Sequence, residues 1–140
     1  MGRLARWYAL GLGSLLLVVG VAWWVPSLTW NGLMLGVFLS ALGHDLFYLL
    51  GGVAGIVAGF LKDTRLALWY TGIIGGITGI VALLGFVQGS SPTQLLPVNL
   101  GDVIAYLLIG LISLCVFLIA WRGQVQMALA PSPTGVEQPK

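Results

Sequence analysis

Charge is scarce in this sequence: Asp, Glu, Lys and Arg make up 7% of 140 residues, against about 25% in an average soluble domain. A water-soluble fold of this size would lack the charged side chains to cover its surface. There is one cysteine, Cys115, inside an apolar run, which excludes an intramolecular disulfide and a Cys-based metal site and reads as a small core residue. There is one histidine, His44, so the chain alone cannot build a His-rich metal centre or a bis-His haem site. Lys and Arg total six and are scattered in ones and twos, which excludes the clustered basic surface that binds nucleic acid. No phosphate-binding loop, dinucleotide fingerprint or nucleophile–base arrangement occurs. No enzymatic activity and no cofactor are expected.

What remains is apolar, at 59% of the chain, and it falls into four runs: Trp7 to Val25, Ala41 to Leu61, Arg65 to Val87 and Leu100 to Trp121. Each is near the roughly 20 residues that a helix needs to cross about 30 Å of hydrocarbon. The sequence therefore predicts an all-α, four-helix transmembrane bundle over residues 1–125, with the lipid bilayer as its solvent. The tail, residues 126–140, is rich in Pro, Ser and Gly and is expected to be disordered. Residues Leu28 to Leu39 read either as an interfacial segment or as an extension of a long, tilted second helix. Arg3 and Arg6 before an apolar stretch resemble a secretory signal. The stretch is of spanning length, however, and ends in Trp23-Trp24-Val25-Pro26 without a small-x-small cleavage site, so it is read as a retained helix.

In a four-span arrangement Arg3, Arg6, Lys62, Arg65, Arg122 and Lys140 all fall on one side. Because basic residues are retained in the cytoplasm, both termini are expected there. Trp7, Trp23, Trp24, Trp30 and Trp121 stand at the expected helix ends, where an indole is both apolar and wet.

His44-x-x-x-Tyr48-Leu49-Leu50-x-Gly52 in the second run is echoed by Asp102-x-x-x-Tyr106-Leu107-Leu108-x-Gly110 in the fourth, at an offset of 58 residues. Two repeated helical hairpins are the expected architecture, related by an axis along the membrane normal. Steps of three and four place Gly52, Gly55 and Gly59 on one stripe of the second helix, and Tyr106, Gly110 and Ser113 on one stripe of the fourth. Gly72, Gly76 and Gly79 give the third helix a similar face, with Gly75 beside it. Small residues let helices approach closely in lipid, so these glycines, Gly52, Gly55, Gly59, Gly72, Gly76 and Gly110 above all, are expected to be packing positions.

The polar residues with functional interest are His44, Asp45 and Asp102, near the outer ends of the second and fourth helices. Ionisable groups at such places mark a pathway or a partner. The alternative is local: Asn99 and Asp102 have capping spacing, Ser40 is placed to cap the second helix, and acids favour a first helical turn. Equal repeat positions also predict that His44 and Asp102 face each other.

At the repeat the chain resembles the bacterial membrane proteins of the domain of unknown function 4383 family. The resemblance is carried by Leu96-Pro97-Val98-Asn99-Leu100-Gly101-Asp102, by Tyr106 and Gly110, and by His44 and Gly52 in the first half. It departs at Tyr48 and Tyr106, where a His commonly stands in the family. It implies four membrane helices in a bacterial inner membrane and no assigned reaction. The expected function is an accessory subunit of a membrane-protein partner or a self-associating homo-oligomer. A small oligomeric transporter or channel is the alternative.

Overall fold

The computed structural model describes residues 2–22, 24–25, 29–30, 33–34, 38–39, 42–61, 63–88 and 98–129; for residue 2, the strands and residues 42–44 only the backbone is described. Four helices dominate: α1 (Gly2–Ala22), α2 (Leu42–Phe60), α3 (Thr64–Gln88) and α4 (Leu100–Leu129). Between α1 and α2 lie three two-residue strands, β1 (Thr29–Trp30), β2 (Leu33–Met34) and β3 (Phe38–Leu39), paired antiparallel in that order.

The helix ends follow from the sequence. At the start of α3, Asp63 Oδ1 accepts the Arg65 backbone N–H at 2.9 Å, which satisfies one donor of the open first turn. At the far end of α1, Trp24 and Val25 donate to Val21 and Ala22, tightening the last turn before the chain leaves the helix. Three helices, α1, α3 and α4, are long and apolar enough to cross a membrane, and α2 is a shorter apolar helix. At 1.5 Å per residue, α2 covers about 28 Å and α4 about 45 Å.

Several boundaries differ from the sequence reading. Helix α1 begins at Gly2, so Arg3 and Arg6 are helical instead of preceding the helix. Arg6 is accommodated because its Nε donates to the Gly59 carbonyl at 3.2 Å, near the C-terminus of α2, where a cation also meets the negative end of that helix. Helix α4 runs on to Leu129, so 126–129, expected in the disordered tail, are helical; residues 130–140 lie outside the described residues. The described residues of 29–39 pair as strands, so this segment does not extend α2. Its branched, aromatic and Gly-interrupted composition suits short extended pairing better than a helix.

Helix α1 packs chiefly on α2 and α3 chiefly on α4, giving two antiparallel hairpins that meet along α1, α2, α3 and α4. Large apolar side chains cover the outside as well as the core, and several polar side chains are buried. Trp7, Val18, Phe60, Ile80, Phe86 and Leu111 point outward, while Tyr48, Tyr70, Tyr106, Thr71, Thr78, Asp102 and Ser113 are buried. Buried Thr71 and Thr78 return their hydroxyls to the Leu68 and Ile74 carbonyls at 2.7 Å, so neither leaves an unmet donor inside.

Candidate functional site

The candidate polar residues gather where α2 and α4 begin. Asp102 is 1% exposed, and its carboxylate is committed locally: Asn99 N–H donates to Asp102 Oδ2 at 3.0 Å while Asp102 N–H donates to Asn99 Oδ1 at 2.9 Å. This is a reciprocal cap that satisfies two first-turn donors at once. Asp45 occupies the first turn of α2 and is half-buried. One turn deeper, Tyr48 and Tyr106 stack with centroids 6.2 Å apart and planes 12° from parallel, and their side chains are hydrogen-bonded to each other. Phe47 sets an edge against both rings. The side chain of His44, and with it the expected pairing with Asp102, lies outside the described residues, as does Ser40.

A second polar layer lies deeper and was not legible from the first repeat. Tyr8 of α1 crosses to α4, its hydroxyl 2.8 Å from Ser113 Oγ. Tyr70 of α3 crosses to α2 and donates to the Gly51 carbonyl at 3.0 Å. Each hairpin thus sends one tyrosine into the other. The signal for these residues is present in the sequence: Arg3-Leu4-Ala5-x-Trp7-Tyr8 recurs as Arg65-Leu66-Ala67-x-Trp69-Tyr70, at an offset of 62 residues.

The glycine contacts follow the same two offsets. A Cβ at Gly52 would lie 2.6 Å from Leu17 N, and one at Gly110 would lie 3.0 Å from Gly79 N. A Cβ at Gly13 would press on the backbone of Gly55 and Ile56, and one at Gly75 on Ser113 and Leu114. Gly59 accommodates Leu10, whereas in the second hairpin Gly72 accommodates Phe117. Gly55 also makes room for the Tyr70 hydroxyl. Gly76 is a correction: a Cβ there would meet nothing within 4 Å, and the close approach of α3 to α4 runs through Gly75 instead. Adjacent helical positions differ by about 100° in direction, so only one of two neighbouring glycines can face the partner.

A family model described as "Domain of unknown function (DUF4383)" matches residues 6–119. The chain belongs to this family. The DUF4383 match begins in α1 and ends in α4, so it takes in both hairpins and both tyrosine layers. No curated protein matches the chain, and no solved structure does.

Among the described residues of this DUF4383 chain, no group of three or more His, Cys, Asp and Glu is placed to hold a metal ion. Cys115, expected in the core, is exposed, on the outward side of α4. An apolar environment outside the bundle makes inside and outside equally acceptable to a small apolar thiol, so an apolar run does not tell one from the other. The arrangement is one of internal satisfaction: Tyr8, Tyr70, Thr71, Thr78 and Asp102 all find protein partners within the bundle.

Proposed function

We propose that this protein is a non-enzymatic, multi-pass protein of a bacterial inner membrane, built from two copies of one helical hairpin, that works as an accessory subunit or a self-associating bundle. The observation carrying this reading is the closure of the helix seams. At Gly13, Gly52 and Gly110 a single added methyl would come within 2.6–3.0 Å of backbone atoms, so these seams leave no space for a solute to pass between the helices of a hairpin. Outward faces are apolar, as a lipid-embedded or partner-bound bundle requires. The recurrence of Arg-Leu-Ala-x-Trp-Tyr and the matched glycine contacts support the duplication. Arg3, Arg6, Arg65 and Arg122 sit toward one end of the bundle, which the positive-inside rule assigns to the cytoplasm together with both termini.

Two measurements test this. Cysteines introduced as Val25→Cys and Met127→Cys, each in a Cys115→Ser background, should differ in intact cells: an impermeant thiol reagent labels position 25 and spares position 127. The reverse pattern overturns the orientation. Mass measurement of the protein extracted in mild detergent should show a defined partner or a homo-oligomer, and liposomes containing it should show no ion flux. A lone monomer overturns the assembly reading, and flux favours an oligomeric channel.

A further inference from the structure

Trp7 stands on α1 between two clefts. On its α2 side an open cleft of about 380 Å³ is lined by Arg3, Arg6, Leu10 and Phe60. On its α4 side a groove of about 400 Å³ is walled by Leu12, Leu15, Ile109 and Ile112 and floored by Gly11. Trp7 borders both and is 72% exposed. The first cleft holds two guanidinium groups and no carboxylate among its lining residues. Arg6 is anchored there through Nε to the Gly59 carbonyl, which orients its planar fork while leaving the other N–H donors for a further acceptor. The second cleft is apolar except for Tyr8, whose hydroxyl is engaged by Ser113. Gly11 keeps it open, because a Cβ there would meet nothing within 4 Å.

We infer that the two clefts form one binding site for an anionic phospholipid, with its phosphate at Arg3 and Arg6 and an acyl chain in the groove over Gly11. The inference rests on the membrane reading above and names a lipid that this surface selects. Charge complementarity chooses the occupant: two cations, one of them anchored, at the end of an apolar groove match a molecule that joins a phosphate to a hydrocarbon chain. Among the described residues the second hairpin does not repeat this pair of arginines. The residue equivalent to Arg6 is Leu68, which is buried, and the cleft at that end of α3 has a carboxylate, Asp63, in its lining as well as Arg65.

The test is native mass spectrometry of the purified full-length protein in neutral detergent, with phosphatidylglycerol and phosphatidylcholine of identical chains added in turn. Phosphatidylglycerol should be retained preferentially. At roughly fivefold for each Arg near the headgroup, Arg3→Gln with Arg6→Gln should weaken it about 30-fold while leaving phosphatidylcholine unchanged. Arg3→Gln alone, at an exposed side chain, keeps the test available if the double variant does not fold. Gly11→Phe should reduce retention of both lipids, and Arg65→Gln should reduce neither. Equal retention of the two lipids, or a preference indifferent to Arg3 and Arg6, overturns the site. Displacement of the lipid by millimolar inorganic phosphate overturns it in favour of a free-anion site. Alkaline carbonate extraction separates the two levels: protein that stays in the membrane without lipid preference refutes the site alone, whereas protein that is released refutes the membrane reading and the site with it.

Discussion

Gly52→Ala and Gly76→Ala add the same methyl to two glycines of helix interiors, and the structure expects opposite outcomes. At Gly52 the new carbon would lie 2.6 Å from Leu17 N and 2.8 Å from Leu17 Cα. These are backbone atoms, so no rotamer change relieves the contact, and α1 and α2 must separate by about 1 Å to restore ordinary carbon contacts near 3.5–4.0 Å. A gap of that size forfeits up to about half of each dispersion contact along the seam, and overpacking of this kind costs about 1–3 kcal/mol. At Gly76 the methyl meets nothing within 4 Å. Alanine is favoured over glycine in a helix by up to about 1 kcal/mol, and that gain is common to both sites. It cancels in the comparison, leaving Gly52→Ala less stable than Gly76→Ala by about 1–3 kcal/mol. Equilibrium unfolding in mixed micelles, followed by tryptophan fluorescence, measures the difference directly. A Gly52→Ala protein as stable as Gly76→Ala would refute the close approach of α1 and α2.

Asp102→Ala should cost about 0.5–2 kcal/mol by removing half of the reciprocal cap on α4, and hydrogen exchange should accelerate at the amides of residues 99–103; unchanged exchange there would remove the capping role. Tyr8→Phe and Ser113→Ala should each destabilise and, combined, show a coupling of about 0.6 kcal/mol, as is typical of interhelical hydrogen bonds in membranes. Strict additivity would mean that the 2.8 Å contact contributes nothing.

Hydropathy and length were enough to find four helices, because an apolar run near 20 residues has few other structures open to it. The ends were less legible. Arg6 is helical because a carbonyl on another helix receives it, and no local pattern announces such a partner. The short strands near Trp30 compete with helix in a stretch whose hydrophobic period is ambiguous. Gly76 shares a stripe with Gly72 and Gly79 in the sequence, yet the close approach falls on Gly75, about 100° round the helix, and only the packed partner decides which side is covered. The Tyr8 and Tyr70 layer escaped for a different reason: equivalent positions recur at 62 residues in α1 and α3 but at 58 in α2 and α4. Equivalent positions on the two paired helices are therefore four residues closer in the second hairpin, and no single offset relates both helices of one pair to both helices of the other.

The exchange of bulk between the hairpins bears on how the chain assembles. The two helix pairs share the Arg-Leu-Ala-x-Trp-Tyr and Tyr-Leu-Leu-x-Gly patterns, so a traded pairing is the natural competitor to the one observed. Leu10 fits against Gly59 and Phe117 against Gly72, with the large residue on the first helix of one pair and on the second helix of the other. A traded pairing at the same register would drive Leu10 into Phe117 and leave Gly72 opposite Gly59 across an empty gap. One traded pair is too thick and the other too thin, so the pairing of α1 with α2 and of α3 with α4 is the one in which both contacts close.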